Sequence, residues 1–271
     1  MKKSIKLGLN IADVPIQIEI DDIGSFSHVS STLGSYIKPI NKPYFYMRVN
    51  KTSGHSRFHK EDEIKIIQKN DYFAFRNKKS PVYNIGFIEK ADRFCQLDIN
   101  PASVKILFYP FLLSAFSLFL SELDSFIVHA AGIIYKGLAY IFIGPSGSGK
   151  TTVARILQKK GLNIISDERI IIRKRGSCFM AYAMPWFNDR DQSAPLKSIF
   201  LLKKSKRVTF IPLKSSYAVS QILPNVYLNL PDQEAIERLL DTFQLLLSKC
   251  RLYEMEFLPD SSFWQGVKGL N

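Results

Sequence analysis

The chain has 271 residues, 46% of them hydrophobic and 23% charged, with a formal net charge of +13; that composition supports one large or two small folded domains and excludes a disordered or fibrous chain. Cys95, Cys178 and Cys250 stand far apart in no CxxC or Cys/His array, which argues against a disulfide framework or a zinc site and fits a reducing cytoplasm. The basic surplus, most of it after residue 125, admits a nucleic acid, an acidic protein or a polyanionic nucleotide as partner, but no named nucleic-acid module is present, so nucleic acid is not the expected one.

The opening MKKSIKLGLNIADVPIQIEIDD has the lysines of a signal peptide without its continuous apolar core, and no export signal is read. Up to about residue 100, the segments VPIQIEI, YFYMRV, DYFAF and FCQLDI are separated by Gly, Asn, Asp and Pro, which predicts a small antiparallel layer. The apolar run Ile106–Leu120 carries Pro110 and follows Lys105. It falls short of the ~20 apolar residues of a membrane span, so a buried helix starting near Pro110 is expected, and no span. The expected division is a β-rich domain over residues 1–124, ending in this helix, and a second domain over residues 125–271.

From Ser125 strands and helices alternate. FIVH and GIIY are strand candidates, Lys136-Gly137 can reverse the chain, and LAYIFIG suits a strand buried on both faces. After the glycines, Val153, Ile156 and Leu157 line one helix face, with Lys159 and Lys160 in the last turn and Gly161 to end it. LNIIS follows as a strand. RIIIRKRGSCFMAYAMP reads as a hairpin turning at Arg175-Gly176, and SIFLLKK as a further strand. The longest helix is expected from Pro231 to about Cys250, with a stripe of Ile236, Leu239, Leu240, Phe243, Leu246 and Leu247. RLYEMEF alternates as a half-buried strand added late to the sheet.

Gly144, Gly149, Lys150 and Thr151 match GxxxxGK[ST], with a buried strand before and an amphipathic helix after. In such a loop, Gly144, Pro145, Ser146, Gly147, Ser148 and Gly149 curl the backbone so that successive N–H groups face one anion, aided by the helix N-terminus. Lys150 reaches the β- and γ-phosphates, Thr151 can ligate Mg²⁺, and Thr152 can bond the α-phosphate. The expected ligands are therefore a nucleoside triphosphate and Mg²⁺. Without the Asn/Thr-Lys-x-Asp element of guanine recognition, ATP is favoured over GTP. Asp167, at the end of the strand after the helix, can hold magnesium or take the proton from an attacking hydroxyl, beside Glu168. The alternatives for this pair are a helix cap or a salt-bridged strand end. His129 can bond the acids or a phosphate, or merely satisfy a strand end. The run Lys203, Lys204, Lys206, Arg207 reads first as a solvated hairpin and second as a docking patch for an acidic partner.

The block from Phe126 to Gly176 resembles the catalytic core of the HPr kinase/phosphorylase family, serine kinases with a histidine ahead of the phosphate loop and an acidic pair after it. The resemblance implies an α/β fold with a P-loop kinase core of the HPr kinase type. It also implies that Asp167 is the base activating serine, Glu168 the second acid and His129 the histidine. A divergent branch found in bacterial peptide-maturation gene clusters, including lasso-peptide precursor kinases, is similar over PWFND, SAPLKSIFLL and CRLYEMEFLPD as well. Thr151-Thr152 stands where Ser-Glu is usual, Asp167-Glu168 replaces Asp-Asp, and the Gly/Leu-rich signature after the acids is missing. Asp189 is the candidate for a later metal-binding acid. The reading is an ATP- and Mg²⁺-dependent kinase acting on a serine-type hydroxyl of a protein or peptide, with a small-molecule kinase and a nucleotide-gated binding protein as alternatives. A homo-oligomer is possible by the same resemblance.

Overall fold

Alternation of buried and half-buried side chains along Ile5–Ile11 (β1) and Val14–Ile20 (β2) builds a hairpin, the period of a sheet with one covered face. The computed structural model describes residues 4–52, 58–186 and 190–270, without the side chains of 80–83, 215 and 216. The chain divides into two units. The first comprises the residues up to Phe119 together with Leu228–Asp232, and the second Leu120–Tyr227 and the residues from Gln233 onward.

In the first unit, β1 and β2 are followed by α1 (Ile23–Leu33), β3 (Phe45–Lys51), β4 (Ile64–Lys69), β5 (Tyr72–Asn77), β6 (Ser80–Glu89), β7 (Phe94–Ile99) and α2 (Val104–Ser121). The sheet order is β1-β2-β3-β7-β6-β5-β4. It is mixed rather than antiparallel, because β3 pairs in parallel with both β2 and β7; α1 supplies the crossover that parallel pairing requires. α2 starts before the position expected from the sequence. A 3-10 turn at Pro101–Ser103 leads into it, and the side chain of Asn100 accepts the N–H of Ala102 at 3.0 Å, so Pro101 and not Pro110 takes the proline-tolerant first turn. Pro110 lies inside the helix, where its carbonyl accepts the Ser114 hydroxyl at 2.8 Å. Residues Pro101–Ser121 are long and apolar enough to cross a membrane, but 78% of the 18-residue apolar window within them is buried in the structure. Phe45 meets Phe119 and Phe75 meets Phe111 at centroid distances of 4.9 and 5.0 Å.

The returning segment Leu228–Asp232 is tied in by polar contacts. Asn229 donates to the Ser114 hydroxyl at 2.8 Å, and Asp232 accepts from Lys90 Nζ at 2.8 Å with both side chains at least nine-tenths buried.

The second unit contains β8 (Ser125–Tyr135), β9 (Leu138–Ile143), α3 (Lys150–Lys159), β10 (Asn163–Ser166), β11 (Arg169–Arg175), β12 (Cys178–Ala183), β13 (Ser193–Lys204), β14 (Thr209–Pro212), α4 (Ser215–Ile222), β15 (Val226–Tyr227), α5 (Gln233–Lys249), β16 (Arg251–Phe257) and α6 (Phe263–Gly269). Lys136 and Gly137, both at positive φ, turn β8 into β9, as the twist of a two-residue hairpin demands. β13 lies parallel to β9 on one side and to β16 on the other; β8, β11, β12 and β14 join antiparallel. β16 is thus an interior strand, enclosed by β13 and β14. Its outward carboxylates Glu254 and Glu256 are consumed by cross-strand ion pairs. Phe142, Phe200 and Tyr253 stack in a row across the three parallel strands at 5.4 and 5.7 Å, and Val153 and Leu157 of α3 bury against that row.

α5 is shorter than α2, which is the longest described helix. Of its expected stripe, Leu239, Phe243 and Leu246 are buried, whereas Ile236 and Leu240 are 39% and 40% exposed. Ala235 and Thr242 take the inner positions instead, small side chains that let the helix sit close.

Candidate active site

Register pairs Ile143 of β9 with Leu201 of β13, and Lys204 of β13 with Phe257 of β16. The carboxyl ends of all three parallel strands therefore open on one edge, where α/β sheets receive ligands. Between β9 and α3 the chain curls through Gly144–Gly149. Gly149 takes the N-cap position at φ 108° with no side-chain cap, and a Cβ there would stand 2.7 Å from Cζ of Phe257. Backbone conformation and packing both require glycine.

The loop closes over Lys150, which is 6% exposed. Its Nζ donates to the carbonyls of Gly144 and Pro145 at 2.7 and 3.2 Å, and burial holds its pKa below the usual lysine range, against the opposing pull of Glu168. Neutral carbonyls are weaker partners for an ammonium than an anion is. The buried Ser148 hydroxyl, in the same loop, has no hydrogen-bond partner among the described residues. An uncapped helix end, a desolvated lysine and an orphaned hydroxyl together have the donor chemistry that suits an anion.

A cavity of about 430 Å³ opens over this loop, lined by its Ser146, Gly147 and Gly149 and by His129, Lys150, Thr151, Thr152, Glu168 and Lys204. β8 carries His129 opposite Arg169 of β11, and one step before Ala130, which pairs with Ile143. His129 Nε2 stands 3.6 Å from Glu168 Oε2. Burial and then Lys150 lower the His129 pKa while Glu168 opposes, so the neutral ring prevails near pH 7.

The two acids part company at Ser166. Its buried hydroxyl accepts the N–H groups of Glu168 and Arg169 at 3.1 and 3.2 Å, which turns the chain sharply out of β10. Glu168 lines the cavity with Lys150, whereas Asp167 lines a second cleft, and Thr151 lines both. The structure thus gathers His129, Lys150, Thr151, Thr152, Glu168, Ser146, Gly147 and Gly149 around one cavity and sets Asp167 in the cleft beside it. Asp189 falls outside the described residues. Among the described residues no group of three or more His, Cys, Asp or Glu is placed to hold a metal ion.

A family model described as SynChlorMet cassette protein ScmC matches residues 94–233, just over half of the chain, including the loop, His129 and both acids. The chain belongs to the ScmC family. No curated protein matches it. Among solved structures, the Hpr(Ser) kinase/phosphatase from Coxiella burnetii aligns at 13% identity over 45% of this chain and 98% of that one, with a TM-score of 0.29. A score that low does not establish a common fold.

In this ScmC-family chain one cavity residue, Lys204, belongs to the run that reads from sequence as a solvated hairpin. Lys203 pairs with Glu254 and Glu256 at 3.1 and 3.2 Å, and Arg207 with Glu256 at 3.2 Å. Lys204, the next residue of β13, lines the cavity instead. Strand alternation was the signal, since neighbours in a strand face opposite ways.

Proposed function

We propose that the second unit binds ATP with Mg²⁺ and transfers the γ-phosphoryl group to a serine-type hydroxyl of a peptide or protein. The observation that carries this reading is buried Lys150 at the uncapped start of α3, in a cavity shared with Glu168 and Lys204. Loop N–H groups would cradle the phosphates, with Lys150 and Lys204 neutralising their charge. The donor set fits magnesium, which takes one or two carboxylates and completes its shell with phosphate and water oxygens. Thr151, flanked by Asp167 and Glu168, would hold it. Bound there, the ion would offset the negative charge of the phosphates.

Asp167 is exposed beside Thr151. It takes the proton of the acceptor hydroxyl as that oxygen bonds to the γ-phosphorus and the bond to the β–γ bridging oxygen breaks, leaving ADP and a phosphorylated serine. Glu168, close to Lys150 and His129, keeps the lysine and the neutral imidazole in place on the phosphate side. The three cysteines are free, as suits a reducing cytoplasm.

The test follows label from γ-labelled ATP into cytosolic proteins and synthetic serine peptides, with wild type and Asp167→Asn compared. Label on a macromolecule that falls by about 10²- to 10⁴-fold in the variant, with ATP binding retained, is the expected result. Equal transfer by Asp167→Asn sinks the assignment of the base. Label confined to small molecules moves the acceptor to that class, and tight ATP binding without any transfer leaves a nucleotide-gated binding protein.

A further inference from the structure

The cleft that holds Asp167 measures about 670 Å³ and runs along α3 against β10, from Thr151 to beyond Gln158. It shares Thr151 with the phosphate cavity, whereas Thr152 lines the cavity alone. In a loop of this spacing the hydroxyl after the lysine sits at the metal, between the β- and γ-phosphates. Thr152, one residue on, reaches toward the α-phosphate and hence toward the nucleoside. A triphosphate bound in that way would turn its γ end to the cleft and its nucleoside to the other side.

We propose that this cleft is the acceptor site, and that it takes a peptide segment whose hydroxyl is flanked by acidic side chains. The proposal rests on the kinase reading above and adds to it a place and a charge preference for the acceptor. Two arginines line the cleft, Arg155 on the exposed face of α3 and Arg190 before β13, and among the described residues that line it Asp167 is the one carboxylate. A guanidinium presents a planar fork of N–H donors matched to carboxylates. Gln158, one turn beyond Ala154 on the same helix, extends the polar wall. Asp167 lines the cleft together with Thr151, next to the turn that the Ser166 hydroxyl fixes. A serine laid along the cleft would meet its base at the place where the γ-phosphate is presented, with flanking acids beside the arginines. A basic segment would meet only repulsion from them.

The experiment uses the full chain and three sets of synthetic serine peptides, with Asp/Glu, Lys/Arg or neutral flanks, each assayed with γ-labelled ATP. Wild type is expected to favour the acidic set. Arg155→Glu should raise KM for that set by about tenfold, the loss expected for one charged hydrogen bond, with kcat nearly unchanged and the basic set improved; Arg155→Lys should keep most of the preference. In a Cys178→Ser background, whose other cysteines are buried, Gln158→Cys capped with a bulky maleimide should lose peptide transfer yet bind a fluorescent ATP analogue as before.

Loss of the ATP analogue on capping would assign the cleft to the nucleoside and overturn the proposal. So would full peptide transfer by the capped protein, or an unchanged charge preference in Arg155→Glu. If wild type labels no peptide of any set while binding ATP, the kinase reading itself falls and takes this proposal with it.

Discussion

In the first unit α1 begins just past the carboxyl end of β2, and in the second α3 begins past the carboxyl end of β9, so both helices point their positive ends out of a sheet edge. The first is satisfied from within. Asp22 accepts the N–H and the hydroxyl of Ser25 at 2.8 and 2.9 Å and pairs with Lys51 Nζ at 3.1 Å, while Asp21 accepts the N–H of Lys51 at 2.5 Å. The second is left open. Gly149 offers no side-chain cap, Lys150 Nζ donates to the carbonyls of Gly144 and Pro145 with Glu168 in the same cavity, and the Ser148 hydroxyl has no hydrogen-bond partner among the described residues. The same electrostatic element is thus closed where the chain supplies its own carboxylate as a cap, and left open, with donors suited to an anion, where no cap is supplied.

The contrast can be broken most forcefully at Lys150. Lys150→Ala should weaken ATP by roughly 100-fold, the worth of a charged hydrogen bond at a desolvated site, measured by equilibrium binding; affinity within twofold of wild type would mean the open end is not an anion site. Gly149→Ala forces a side chain into a left-handed position against Phe257 and should destabilise the second unit by about 2 kcal/mol. Phe257→Leu, combined with it, should recover part of that in thermal unfolding, because the ring is the obstacle.

The closed end answers differently. Asp22→Ala should cost about 1 kcal/mol, as loss of a helix cap does, and leave ATP binding alone. Burial by itself would raise the pKa of Asp22, but the Ser25 N–H and hydroxyl and then Lys51 bring it below the ordinary aspartate value. The stability it contributes is therefore present above its unfolded pKa and lost as pH falls through the lower folded value. An acid-unfolding curve unchanged by Asp22→Ala would contradict the cap. The smallest effect belongs to the paired lysines. Lys204→Gln should weaken ATP about threefold, more than it weakens ADP, within the range of exposed charge pairs, and Lys203→Gln should weaken neither, since Glu254 and Glu256 already occupy that ammonium.

What could be read from the sequence was whatever is local. The glycine loop lies between β9 and α3 because its spacing, the apolar run before it and the stripe after it are contiguous in the chain. Strands such as Val14–Ile20 and Phe94–Ile99 declared themselves by alternation. Partner choice did not, because alternation says which face is buried and not which strand lies alongside; hence β3 between β2 and β7 in parallel was invisible. The start of α2 was misplaced because two prolines each satisfy the first-turn rule, and the Asn100 cap decides between them. The separation of Asp167 from Glu168 hung on one hydroxyl, that of Ser166, catching two N–H groups, and no periodicity encodes such a turn.

The return of Leu228–Asp232 to the first unit has a consequence for how the protein is made. The chain crosses between units at Phe119, again before Leu228 and again after Asp232, so no single cut yields two intact pieces. On the ribosome, the first unit must wait for more than a hundred residues of the second before Asp232 emerges to meet Lys90. Synthesis order and folding order are thereby interleaved, and a fragment ending at Phe119 would lack Asp232, the nearer of the two carboxylates that pair with Lys90, and keep only Asp71 at 3.6 Å.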